Sequence, residues 1–388
     1  MKENEKGLFN TEENQMKTIS NTIFSKHKSK DKKSLILTIL LIICFIEFLI
    51  IIFLSLNQPK EAKEENIKNN IHKIYDMPKP LFLYKEDKNN SINYNKTEIR
   101  ISMSLDNKGI YSVLVSMTSA LENNDKKNNI LVYYMLLSHD FNLSKIEIFE
   151  SLKSNYEFKI NYYIIPNIFK TAREWANTYT IYYKLLIPLI FPEFERMIFL
   201  DGDTLIFKDI LDMYTLPFND NYVLGHPFHS PWMIDHLGVK SIYYINVGIM
   251  LFNIREIRRK NADIKLLEFT MNHHDKVTFI EQDAMNYIFF NKIGLLPLKF
   301  GVYLFGNFDE FKKEYLYKFR FKLNLTEMKA AIKDPSIVHL CCCNPKVWYK
   351  KSKQEHNFQH ICIKYQKLFY FYANKTNYFS EIYNKYMK

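Results

Sequence analysis
The apolar run Met197-Ile198-Phe199-Leu200 leads straight into Asp201-Gly202-Asp203, and Thr204-Leu205-Ile206-Phe207 resumes it. Two carboxylates one residue apart on a turn can reach one cation. Hard oxygen ligands favour magnesium or manganese, ions often completed by substrate phosphates. Gly202 between them permits a tight backbone and leaves room for a ligand. The plain alternative is an Asp-Gly turn joining two strands of a hairpin. Other residues have types that can do chemistry. Asp106-Asn107 ends an alternating run, Asn246 and Gly248 interrupt an apolar one, and Glu281-Gln282-Asp283 opens a helical pattern. His339 closes a short apolar stretch, Lys184 falls in a run of helical spacing, and Lys346 follows the cysteine triplet. Each has a bland reading. Asp and Asn favour turns at strand ends, lysines are usually solvated, and a buried Asn need only be hydrogen-bonded.

The elements that must position these residues follow from periodicity. Glu98–Leu105 alternates as a first strand and Ile110–Leu121 has helical spacing. A strand over Asn129–Leu137, a helix over Leu143–Lys153 and a strand over Phe158–Ile165 follow. A long helix is expected over Trp175–Ile190, carrying Lys184 and stopping near Pro192, and then comes the strand into Asp201. This alternation predicts an α/β fold with a doubly wound sheet flanked by helices. In such sheets ligands bind at the carboxyl ends of the strands, where Asp106 and Asp201 fall. After Asp209 the pattern changes. Tyr222–Gly225 reads as a short strand, His226–Lys240 as a loop, Tyr243–Asn253 as a strand, and Ile264–Asn272 and Glu281–Phe290 as helices. Pro297–Lys333 is poorly patterned, Pro335–Leu340 is a last short strand, and the chain from His356 is aromatic, basic and helical in spacing. No Gly-x-Gly-x-x-Gly follows the first strand, which disfavours a dinucleotide oxidoreductase.

At 388 residues, 47% of them hydrophobic, the chain can bury a large core. The net charge of +11 is spread along the sequence without a nucleic-acid module. Residues 1–34 are polar and read as a disordered tail. Leu35–Leu56 is almost uninterruptedly apolar apart from Glu47, and about twenty such residues span a bilayer. Lysines 26, 28, 30, 32 and 33 precede it, whereas the following segment mixes both signs. The positive-inside rule therefore predicts a type II signal-anchor with the tail in the cytosol. A stem over residues 57–97 would carry a luminal catalytic domain in the Golgi or endoplasmic reticulum. Sequons at Asn89, Asn95, Asn142, Asn324 and Asn374 are compatible with that compartment. Cys362 has Cys341, Cys342 and Cys343 as candidate disulfide partners.

The ordered blocks IRISMSLDN at 99–107, IYYKLL around Lys184, FLDGDTLIFKDI at 199–210, YYINVGIMLFNI at 243–254, EQDAMN at 281–286 and VHLCCCNPKVW at 338–348 resemble the family 8 glycosyltransferases. These are retaining enzymes of GT-A fold, and the resemblance spans roughly Glu98–Tyr349. It implies a domain over residues 98–350 followed by a C-terminal helical extension over 351–388. It implies a hexosyl transfer, of glucose or galactose, from a UDP-sugar to a glycan, glycoprotein or glycolipid. The family pattern makes Asp201, Asp203 and His339 the ligands of Mn2+ or Mg2+. Asp106 and Asn107 would hold the nucleobase and ribose, and Lys184, Gly202, Gly248 and Lys346 would line the nucleotide-sugar. Asn246 would face the donor sugar or the acceptor, and Asp283 the donor hydroxyls. Gln282 would lie near the β-face of the sugar, where an amide is a poor nucleophile. That favours front-side substitution, with Glu281 keeping a covalent route open.

The chain departs from the family in two places. The usual His-x-x-Gly before Lys-Pro-Trp is replaced by three cysteines, one extra residue and Val347. An acidic residue expected in the acceptor region is replaced near His226–His229. Competing readings are an inverting or xylosyl-type transferase and a membrane-anchored sugar-nucleotide-binding protein without turnover.

Overall fold
The computed structural model describes residues 82–87, 96–174, 177–227, 236–239, 244–273, 277–303, 325–342, 346–350 and 359–388. The expected tail, the apolar span 35–56 and most of the stem lie outside the described residues, as do the side chains of Cys342, Cys343 and Cys362. Among the described residues, no helix is long and apolar enough to cross a membrane.

The first half alternates strand and helix. It comprises β1 (Leu83–Lys85), β2 (Thr97–Leu105), α1 (Ile110–Asn123), β3 (Asn129–Leu137), α2 (Ile146–Glu150), β4 (Phe158–Ile164), α3 (Ile187–Ile190), β5 (Arg196–Leu200) and β6 (Thr204–Ile206). The second half is less regular. It comprises α4 (Leu211–Tyr214), β7 (Val223–Pro227), β8 (Ile245–Asn253), α5 (Ile254–Arg259), α6 (Ala262–Asn272), α7 (Ile280–Ile288), β9 (Ile293–Leu295), β10 (Phe300–Tyr303), α8 (Leu325–Lys333), β11 (Ile337–His339), α9 (Gln359–Ala373) and α10 (Phe379–Met387). An eight-stranded sheet runs β1-β4-β3-β2-β5-β8-β7-β9, and a three-stranded sheet runs β10-β11-β6. Strands β4, β3, β2 and β5 are parallel neighbours, and β8 is antiparallel to both β5 and β7. The sheet is therefore mixed, with the parallel half supplying the carboxyl edge that the sequence predicts.

Strand β3 shows why this core forms. All nine of its residues are buried, as a central parallel strand covered on both faces requires. Leu131, Tyr133, Met135 and Leu137 join the core under α1, while Val132, Tyr134 and Leu136 join the opposite core. That is the two-residue period of a strand feeding two layers.

Four expectations change. The expected stem contributes β1, which pairs antiparallel with β4, so part of it belongs to the sheet. The helix expected over Leu143–Lys153 is broken, with 3-10 turns on either side of α2. The long helix expected over Trp175–Ile190 is a 3-10 turn at Thr180–Leu186 leading into the one-turn α3. Pro188 lacks an N–H and its ring clashes with the carbonyl four residues back, so an α-helix cannot run through it. Finally, Pro297–Lys333 contains β10 and α8. The C-terminal helices pack on α1: Asn123 Nδ2 donates to Tyr372 Oη at 2.9 Å, and Tyr111 meets Tyr386 edge to face.

Candidate active site
The Asp-Gly-Asp turn is not a hairpin, because β5 and β6 belong to different sheets. Asp201 N donates to Gly248 O at 2.7 Å, adding a rung to the β5–β8 ladder. Leu340 N donates to Asp203 O at 2.8 Å, adding a rung to the β6–β11 ladder. Each aspartate is thus fixed by its own sheet, with Gly202 alone between them. A Cβ on Gly202 would lie 2.5 Å from Val113 Cγ2, so α1 reaches the turn only because the residue is glycine. Strand β11 carries His339 opposite Thr204.

These placements bring Asp201, Asp203 and His339 together, with one potential ligand atom of each within 4.8 Å of the others. His339 Nε2 lies 3.0 Å from Asp203 Oδ1 and 3.7 Å from Asp201 Oδ2. The imidazole is almost wholly buried, whereas the Asp201 side chain is 34% exposed, so the cluster opens on the Asp201 side. Gly248 makes room for it: a Cβ there would lie 2.3 Å from His339 Cε1 and 2.4 Å from Asp201 Oδ2. Two carboxylates, an imidazole and a side-chain-free wall fit a divalent cation with open coordination positions.

Two lysines balance the charge. Lys346 Nζ lies 2.6 Å from Asp203 Oδ2 and donates to the carbonyls of Leu340 and Cys341. The extra residue and the cysteines before Lys346 therefore leave it beside the cluster, with Val347 and Trp348 buried behind it. Lys184 is buried, with Nζ 3.2 Å from Asp201 Oδ1, 3.4 Å from Glu281 Oε1 and over the Phe199 ring. Burial pulls its pKa down, but Asp201 and Glu281 more than compensate and hold the ammonium charged. Burial pushes the Glu281 carboxyl up, and Lys184 offsets only part of that. For His339, burial opposes protonation, but Asp203 and Asp201 carry the ring above the usual histidine range. Desolvation works against the Asp203 charge too, yet Lys346 and His339 hold its carboxyl far below the usual range.

Asp106 and Asn107 lie at the carboxyl end of β2, next to β5 in the sheet. Asp106 Oδ1 accepts from the N–H groups of Lys108 and Gly109, shaping the turn into α1. Asn107 ties that turn to the chain at Asp140 and Asn142.

On the other side of the cluster, Asn246 and Gln282 meet. Asn246 Nδ2 donates to Gln282 Oε1 at 3.1 Å, and Gly248 N donates to Asn246 Oδ1 at 2.9 Å. Asp283 differs from its expected place against donor hydroxyls. It is fully buried, Tyr244 Oη donates to Oδ1 at 2.5 Å, and the N–H groups of Thr278 and Phe279 donate to Oδ2. The carboxylate turns back to satisfy the N–H groups of the two residues just ahead of α7. Glu281 is the acidic residue of that segment that faces the cluster. Tyr244 escaped the sequence reading because a tyrosine beside an apolar strand carries no signal. His226 is buried under Tyr303, and burial lowers its pKa to about 4. Residues 228–235, which include His229, lie outside the described residues.

Comparison with known proteins gives three kinds of likeness. The model of the family described as "Glycosyl transferase family 8" matches residues 100–352, more than half the chain. Galactinol synthase 1 of Solanum lycopersicum is 25% identical over 202 residues, covering 50% of this chain and 56% of that protein. The chain spans about half the length of the curated relatives it matches first. Among solved structures, the apo form of the bifunctional glycosyltransferase WbbM aligns with a TM-score of 0.60 at 19% identity, over 76% of this chain and 53% of that one. The galactosyltransferase LgtC, solved with donor and acceptor sugar analogues, aligns with a TM-score of 0.58 at 13% identity, over 72% and 96%. At these identities the structural likeness shows the GT-A-like fold.

Proposed function
The chain belongs to glycosyl transferase family 8, and from that premise we propose that it moves a hexose, glucose or galactose, from a UDP-sugar to a glycan, glycoprotein or glycolipid acceptor. The observation that carries the reading is the convergence of Asp201, Asp203 and His339 on a wall left open by Gly248, with Lys346 and Lys184 beside it. The three side chains would hold Mn2+ or Mg2+, which when bound would neutralise the leaving diphosphate. Lys346, held by Asp203, would supply a point charge for the same phosphates. Lys184, held between Asp201 and Glu281, keeps both carboxylates in fixed directions. Asp106 and Asn107 shape the strand-end turn that would receive the nucleoside.

The anomeric configuration is retained in this reading, with attack and departure on one face of the sugar. The engagement of Gln282 supports that route. Its oxygen accepts from Asn246 and Val247, and its nitrogen donates to Tyr244. An amide so held offers no nucleophile, and the departing phosphate takes the acceptor's proton. A screen of UDP-sugars with the purified chain, with manganese and with EDTA, tests the proposal. Release of UDP from one hexose donor, abolished by EDTA, is expected; no release from any donor overturns it.

The apolar run 35–56 and the lysines before it support a second proposal, that this segment crosses a membrane with the enzyme domain on the luminal side. Protease added to sealed microsomes is expected to remove only the N-terminal tail. Digestion of the domain without detergent reverses that orientation.

A further inference from the structure
A directed chain of hydrogen bonds runs from the buried Asp283 to the edge of the cation cluster. Asp283 is fully buried, and its Oδ2 accepts from Thr278 N at 2.7 Å and Phe279 N at 2.8 Å, with His236 Nε2 3.2 Å away. An ionised carboxylate can only accept, so Tyr244 must donate to Oδ1, and the 2.5 Å separation fits a charge-assisted bond. Burial and the Asp283 charge raise the Tyr244 pKa well above the usual phenol range, which keeps that proton on the tyrosine. With its one hydrogen committed, the Tyr244 oxygen can only accept from its next neighbour. Gln282 must therefore present Nε2 to it, as observed at 3.1 Å. Gln282 Oε1 is then turned toward β8, where it accepts from Asn246 Nδ2 at 3.1 Å and Val247 N at 3.4 Å. Asn246 in turn has its oxygen held by Gly248 N. The other N–H of Asn246 has no partner among the described residues, and the side chain is half-buried beside the cluster.

We propose that Asp283 and Tyr244 are positioning residues that, together with the backbone N–H groups of Val247 and Gly248, fix the polarity of this chain, so that Asn246 faces the sugar site with an N–H and binds a substrate oxygen that accepts a hydrogen bond. The inference rests on the glycosyltransferase reading for what occupies the site, but not for the polarity itself. A donor in that place suits a sugar hydroxyl or ring oxygen, or an oxygen gaining negative charge as the sugar bond breaks. Reversal of the chain would present an oxygen instead and repel the same group.

The test uses Tyr244→Phe, which breaks the chain while leaving Asp283 its backbone partners, and Asp283→Asn, whose amide can donate to Tyr244 and reverse it. With 15N-labelled glutamine and asparagine side chains, the Gln282 amide, assigned by its loss in Gln282→Met, should exchange its protons slowly in the wild type. It should exchange fast in Tyr244→Phe. In turnover, Tyr244→Phe should lower kcat by about tenfold, the scale of one lost hydrogen bond. Mn2+ affinity should stay within about twofold, because the cation ligands do not change. Asp283→Asn, if it folds, should lose more. Fast amide exchange in the wild type, or an unchanged kcat in Tyr244→Phe, overturns the proposal. A wild-type protein that turns over no UDP-sugar overturns the functional reading instead and leaves the exchange measurement decisive for the polarity.

Discussion

Lys346 Nζ lies 2.6 Å from Asp203 Oδ2 while His339 Nε2 lies 3.0 Å from Oδ1, so one carboxylate is shared between two nitrogen groups. Asp203 is the point where charge balance within the protein and cation binding compete. Asp203→Asn should abolish measurable Mn2+ binding and lower transfer by about a hundredfold or more. Titration calorimetry with Mn2+ and a UDP-release assay check this. Wild-type activity persisting in EDTA would remove the cation from the mechanism.

Gly248→Ala should act on the cluster and Gly202→Ala on the packing. The first Cβ would meet His339 and Asp201, the second Val113. Gly248→Ala should weaken Mn2+ binding about tenfold or more, because ligand orientation controls affinity. Gly202→Ala should instead cost about 1–3 kcal/mol of stability through overpacking. Melting curves and Mn2+ titrations on both variants separate the two effects.

The raised pKa of His339 sets two opposite pH dependences. A proton on the ring competes with a cation for Nε2. Mn2+ affinity should therefore fall as pH drops through the folded value, which lies above the ordinary histidine range. In the cation-free protein the sign is reversed. The His339–Asp203 contribution is fully present below the unfolded histidine pKa and is lost as pH rises through the folded one. Melting temperatures between about pH 5 and 9, with EDTA and with Mn2+, should diverge as the pH rises. Parallel curves would refute the assignment.

Lys184→Met removes the cation from between Asp201 and Glu281. Leaving Glu281 buried without its partner should destabilise the domain by about 3 kcal/mol. Glu281→Gln on the same background should recover part of the loss. Denaturant melts of the two single variants and the double variant form the cycle that measures it, and additive losses would mean that the pair does not interact.

The product of a UDP-α-hexose should carry an α linkage. Proton NMR of the first-formed product reads this directly, and a β linkage would exclude retention. Mass spectrometry of the enzyme after brief turnover should show no attached sugar. A sugar trapped on Glu281 would replace same-face substitution with double displacement.

Much of the protein was legible in one dimension. The alternating strands β2, β3 and β4 and helix α1 follow from local periodicity, because a central strand must bury both faces and its covering helix one. The family blocks, each weak alone, fix the order of Asp106, Asp201, Asn246, Glu281 and His339 along the chain. Other features depend on contacts distant in sequence. Local pattern could not show that Asp201 and Asp203 end up on separate ladders, since β6 pairs with β11 more than a hundred residues later. The family resemblance gave Asp283 to the sugar, and pattern left Tyr244 unnoticed. Only folding brings Tyr244, Asp283 and the start of α7 together, where buried N–H groups claim the carboxylate. Residue types determined which chemistry the chain can do; burial and hydrogen-bond satisfaction decided which carboxylate faces the cation cluster and which is spent holding the scaffold.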